Sequence, residues 1–128
     1  MTTINPSVGQ TSTYTRTFTH EDVMSFAEVS GDRGKHHMVP DSKGKVMVQG
    51  LLTATLPTKL GGDMNYIARK MTFEFLRPVF VGDTVTCEAT IQDISESDDR
   101  LDVCMSITCR NQDGKEVLRG RTEGMIRR

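Results

Sequence analysis

In SGDRGKHH, residues 30–37, Asp32 and His37 stand five positions apart, with a glycine before and a glycine between them. The chain has only three histidines, and two of them, His36 and His37, fall in this stretch. A carboxylate and an imidazole that converge on one point can take a proton from a bound water and return it elsewhere. Glycines let the backbone bend between the two side chains. Taken alone, the pair fits a solvated loop better than a site. Adjacent histidines point in different directions in an extended chain, so they are not expected to grip one metal ion. No cysteine or further histidine sits at zinc spacing, and no metal site is expected. GDRGK and SKGK lack the spacing of a phosphate-binding loop, which argues against a nucleotide.

The flanking residues give the pair its supports. Ser12–Phe18, STYTRTF, suits a strand. Thr19 and Asp22 have the spacing of a capping box, Val23, Phe26 and Ala27 follow at helical spacing, and Ser30-Gly31 closes the helix. A glycine-containing loop is expected from Gly31 to about Lys45. The next segment, VMVQGLLTATLPTKLGG, is the most apolar of the chain. Gly50–Leu60 reads as a short buried helix, kinked or ended early by Pro57 and stopped by Gly61-Gly62. Tyr66–Leu76, Asp83–Ile94, Leu101–Cys109 and Val117–Ile126 read as four strands of a meander, with Pro78 at a bulge or edge and NQDG, residues 111–114, as a hairpin turn. Strands gathered after helices predict an α+β domain whose antiparallel sheet wraps around the apolar helix.

Size and charge narrow the possible functions. A chain of 128 residues is expected to form one domain, 1–128, with residues 1–11 as a loose arm. Sixteen basic residues nearly balance seventeen acidic ones, so neither a nucleic acid nor a membrane surface is expected as partner. The first residues have no basic and apolar leader pattern, and no apolar run reaches the ~20 residues of a membrane helix. Cys87, Cys104 and Cys109 form no CxxC pair and suit reduced, mostly buried thiols in the cytoplasm.

Three ordered motifs resemble those of the MaoC-like (R)-specific enoyl-CoA hydratases and dehydratases of the hot-dog fold. FAEVSGDRGKHH, residues 26–37, is similar to F-A-x-x-S-G-D-x-N-P-x-H. VQGLL, residues 48–52, is similar to the V-H-G element that opens the family's central helix. FEFLRPVFVGDTVT, residues 73–86, is similar to F-x-x-P-V-F-x-G-D-T-V. Gly34-Lys35 stand where the family has Asn-Pro, and Gln49 where it has His. The resemblance implies that Asp32 and His37 are the catalytic pair for adding water to a trans-2-enoyl thioester or removing it from an (R)-3-hydroxyacyl thioester. It places an oxyanion donor at the Gly50 N–H. It runs the acyl chain along the central helix, past Leu51, Leu52, Leu56 and Thr58. Lys35, Lys43, Lys45, Arg69 and Lys70 are candidates for the phosphates of coenzyme A. No cofactor is implied beyond the coenzyme A or carrier protein of the substrate itself. A homodimer joined through sheet edges is implied, with higher assemblies compatible.

Two other classes remain open. A hot-dog thioesterase would also use a carboxylate and an oxyanion donor, though the S-G-D-x-x-x-x-H arrangement favours the lyase. A non-catalytic acyl-CoA-binding module would tolerate the changes at Gly34-Lys35 and Gln49. Fold alone does not choose among them.

Overall fold

Strand β1 (Thr11–Thr17) opens the fold in the computed structural model, which describes residues 6–128. Residues 1–5 of the expected arm lie outside the described residues. Downstream of them the chain is already tied to the sheet, because the Gly9 N–H donates to the Ile91 carbonyl. Threonines alternate along one face of β1, and three of them meet partners on a neighbouring strand, Thr11 with Thr90, Thr15 with Thr86 and Thr17 with Thr84.

Helix α1 (His20–Ser30) follows at the expected place. The Thr19 hydroxyl accepts from the Asp22 N–H, and the Asp22 carboxylate accepts from the Thr19 N–H, which completes the capping box. Gly31 ends the helix in the left-handed conformation, with φ 77°, where a side chain would be strained. Burial pushes the Asp22 carboxyl up, but hydrogen bonding to Thr19 and the Arg16 guanidinium at 2.6 Å outweigh it and hold the pKa below the usual carboxylate value. A depressed pKa in the folded state means that the ionised form is favoured by folding. That contribution is present above the unfolded value, about 4, and is lost as pH falls through the folded value. Thermal melts of wild type and Asp22→Asn should therefore converge as the pH is lowered from neutral to about 3.

The loop after Gly31 contains a short helix, α2 (Lys35–Met38), that the sequence did not announce, because four residues carry no periodic signal. The apolar segment forms two helical pieces rather than one, α3 (Gly50–Thr53) and α4 (Thr55–Asp63), divided at Ala54. Pro57 is the third residue of α4. Its missing N–H falls among the first four, which have no helical acceptor in any case, so the proline is tolerated instead of ending the helix. Gly61 and Gly62 do not stop α4, which runs on to Asp63. Gly61 is buried, and a methyl group there would meet the Tyr66 ring at 3.3 Å. It serves close packing.

The remaining chain forms β2 (Tyr66–Phe75), β3 (Thr84–Glu96), β4 (Arg100–Arg110) and β5 (Glu116–Arg127). All pairings are antiparallel, in the order β1-β3-β4-β5-β2. The expected four-strand meander is thus corrected to three strands. β2 leaves the sequence order and pairs with β5 at the far edge. Residues 76–83 cannot close a tight β2–β3 hairpin, because their hydrogen bonds go elsewhere. The Val79 carbonyl accepts from Val48, the Val81 N–H donates to Val46, and the Gly82 N–H donates to Phe18. Helix α4 packs on one face of the sheet, against β1, β2 and β3. Leu52, Leu56 and Leu60 enter a core with Phe18, Ile91, Ile107 and Leu118. This is the expected α+β architecture, with a sheet around an apolar helix. Cys87 and Cys109 face each other across β3 and β4 inside that core. Hydrogen bonding to Cys109 and burial push the Cys87 thiol well up, so it is a packing group and not a nucleophile.

Candidate active site

The end of α1 and the start of α2 bring Asp32 and His37 together. The Ser30 hydroxyl donates to the Phe26 carbonyl and accepts from the Asp32 N–H, which sets the exit from the helix. Asp32 Oδ1 accepts from the Gly34 N–H, and the His37 N–H donates to the Gly34 carbonyl. The tight turn leaves Asp32 Oδ2 3.6 Å from His37 Nε2. The histidine is 5% exposed, whereas the aspartate is half exposed.

The other ring nitrogen fixes the chemistry. His37 Nδ1 is 2.7 Å from the Met47 carbonyl oxygen, which can only accept, so Nδ1 carries the hydrogen. In the neutral ring Nε2 is left with its lone pair, facing the carboxylate. Two acceptors at 3.6 Å do not bond to each other. A single water that donates one hydrogen to each would satisfy both. Met47 is held in return, since its N–H donates to the His36 carbonyl. His36 itself is exposed, and its ring lies 3.9 Å from that of His37.

His37 forms part of the wall of a cavity of about 420 Å³, with Gly50, Thr53, Phe75, Arg77 and Val117 among its other walls. Gly50 is the first residue of α3, so its N–H has no helical acceptor. The Phe75 ring covers it closely, and a methyl group at Gly50 would meet that ring at 3.1 Å. Gln49, just before it, is completely buried.

The expected acyl-binding residues lie apart from this cavity. Leu51 is 65% exposed, while Leu52 and Leu56 are buried in the core. The exposed Thr58 lies at a second, narrow cleft of about 40 Å³ between α4 and the sheet, beside Pro57, Gly61, Tyr66 and Met71. Of the cationic candidates, Arg69 faces Asp102 at 3.8 Å and Lys70 faces Glu123 at 3.9 Å, while Lys45 lies over the Phe80 ring. Phe75, Arg77 and Val117 were not anticipated as cavity walls. The first two lie inside the FEFLRPVF motif, which was the signal available. Val117 had none. Among the described residues no group of three or more metal-ligating side chains is clustered, and no helix is long and apolar enough to cross a membrane.

The family model described as the FAS1-like dehydratase domain region matches residues 35–119, more than half of the chain. The match includes His37 and Gly50 and starts after Asp32. A search of curated protein sequences finds no match. Solved structures are similar over nearly the whole chain. R-hydratase PhaJ1 from Pseudomonas aeruginosa is 29% identical with a TM-score of 0.83, over 94% of this chain and 81% of that one. The (R)-hydratase from A. caviae involved in PHA biosynthesis is 26% identical with a TM-score of 0.84, over 93% of this chain and 96% of that one. A MaoC-like dehydratase from Rhodospirillum rubrum, 20% identical with a TM-score of 0.78 over 96% and 94% of the two chains, shares the fold. A sheet in the order β1-β3-β4-β5-β2 around an apolar helix, and a dehydratase match across its central region, make this chain a member of the FAS1-like dehydratase family with the MaoC-like hot-dog fold.

Proposed function

We propose that this protein is a hydro-lyase that adds water to trans-2-enoyl thioesters, or removes it from (R)-3-hydroxyacyl thioesters, with Asp32 and His37 as its catalytic residues. The observation that carries this is the pair of acceptors, Asp32 Oδ2 and His37 Nε2, held 3.6 Å apart beside a cavity that Gly50 also lines. A water bound between them is oriented by the carboxylate and deprotonated by the imidazole. As its oxygen bonds to C3, the C2–C3 π electrons move toward the thioester, and the Gly50 N–H stabilises the oxygen that gains charge. His37 then returns the proton to C2, and the hydrogen held by Asp32 stays on the new hydroxyl. Atoms and charge balance without a cofactor. Dehydration is the same path reversed.

The acyl tail is assigned to the direction of α4, ending at the narrow cleft beside Thr58. Leu52 and Leu56 are buried in the core and Leu51 is exposed, so none of the three lines that cleft. The open outer edge of β2 carries Ile67, Met71 and Phe75, exposed by 42%, 52% and 52%. An unpaired edge with apolar side chains suits pairing with a second copy. Light scattering is expected to give about twice the chain mass of 14.3 kDa. Free thiols at Cys87, Cys104 and Cys109 suit a reducing compartment such as the cytoplasm.

The deciding assay follows loss of the enoyl-thioester absorbance with crotonyl-CoA and with a longer enoyl-CoA, alongside detection of free thiol. Consumption of the enoyl group without thiol release is expected. Thiol release instead would identify a thioesterase, and binding without turnover a non-catalytic module. Thr58→Trp should impair the longer substrate and spare crotonyl-CoA, whereas equal loss on both would remove Thr58 from the acyl path.

A further inference from the structure

On the hydratase reading above, we propose that Gln49 is a positioning residue, whose buried amide ties the helix that delivers Asp32 to the segment that delivers Gly50. Gln49 has no exposed surface, and its Nε2 donates to the Val23 carbonyl of α1 at 3.0 Å. Among the described residues this is the one side-chain hydrogen bond between α1 and the segment 46–63. The other polar tie of α1 to the body is the Arg16–Asp22 pair, at the opposite end from Asp32. Val23 and Ala27 add apolar burial, which resists separation but sets direction less sharply than a hydrogen bond does. The backbone of Gln49 is fixed as well, because its carbonyl accepts from Leu52 and Thr53 at the start of α3. One residue therefore holds α1 by its side chain and α3 by its main chain, and the next residue is Gly50.

The rest of the amide supports a role in placement. Gln49 Oε1 is buried without a hydrogen-bond partner. Leaving a buried acceptor unpaired is unfavourable, and an apolar side chain of the same length would avoid it. The useful part of the side chain is thus its N–H donor. The related V-H-G motif puts another N–H donor, histidine, at the same position. Proton transfer depends steeply on such placement, since a displacement of about 1 Å can cost 10²-fold in rate.

Gln49→Met tests this, because it keeps the length and volume and removes the amide. With crotonyl-CoA, kcat is expected to fall about 10- to 100-fold with KM within about twofold. Hydrogen exchange at the amides of residues 27–32 is expected to accelerate. Gln49→His, which restores a donor, should regain most of kcat and slow that exchange again. A lower melting temperature with unchanged kcat per folded molecule would overturn the proposal. So would failure of Gln49→His to differ from Gln49→Met. Should wild type not turn over enoyl thioesters, the hydratase reading falls separately. Exchange at residues 27–32 then decides the tether alone, and equal rates in wild type and Gln49→Met overturn it.

Discussion

Asp32→Asn is expected to lower kcat on an enoyl thioester by about 10²- to 10⁴-fold, the usual contribution of a positioned acid–base group, while leaving the fold intact. The turn survives because an asparagine oxygen can still accept from the Gly34 N–H, as Oδ1 does at 3.3 Å. The loss comes from the other atom. An amide nitrogen in place of Oδ2 becomes a donor facing His37 Nε2. It occupies the lone pair that should receive the water proton, and it no longer accepts the water's second hydrogen. His37→Gln is expected to reach a similar loss by removing the base itself. Its melting temperature should also fall, since His37 is buried and bonded to the Met47 carbonyl. Initial rates with crotonyl-CoA, set beside thermal melts of the same preparations, separate chemistry from folding. An Asp32→Asn enzyme with most of its rate intact would remove the carboxylate from the mechanism.

The second large effect concerns stability and arises where β5 pairs with β2. Gly120 and Gly124 of β5 lie opposite Phe73 and Ala68 of β2. A methyl group on Gly120 would stand 2.1 Å from the Thr72 carbonyl oxygen, and one on Gly124 would stand 2.3 Å from the Ile67 oxygen and 2.7 Å from the Tyr66 ring. Backbone cannot step aside as a flexible side chain can. Gly120→Ala and Gly124→Ala should therefore each reach or exceed the upper end of the roughly 1–3 kcal/mol cost of overpacking. The expected drop in melting temperature is roughly 10 °C. Gly62→Ala supplies the contrast. Its methyl group meets nothing within 4 Å, and it lies inside α4, where alanine is favoured over glycine by roughly 0.5–1 kcal/mol. That variant should melt above wild type. Equal melting temperatures for all three variants would show that β2 can draw back from β5 without cost. Because β2 also carries Phe75, Gly120→Ala is expected to reduce activity as well, through the cavity wall rather than through Asp32 and His37.

What the sequence determined by itself is mostly what short-range hydrogen bonds encode. The capping box at Thr19 and Asp22, the left-handed glycine at 31 and the NQDG turn each close within a few residues, so they depend on little else. The alternation of β3 and β4 told which side chains enter the core, since a strand turns successive residues to opposite faces. Asp32 and His37 are joined by one short turn, but the flanking FAEVSG and VQGLL motifs, not the pair alone, singled them out. Tertiary structure decided the rest. The placement of β2 beside β5 depends on where residues 76–83 find their hydrogen bonds, with Val46, Val48 and Phe18 far away along the chain. The proton on His37 Nδ1 depends on Met47, ten residues on, and the cavity wall joins Phe75 and Arg77, at and just beyond the end of β2, to Val117 of β5. No local pattern specifies such contacts, because they form only once the apolar faces of helix and sheet have packed and fixed how far apart the segments lie.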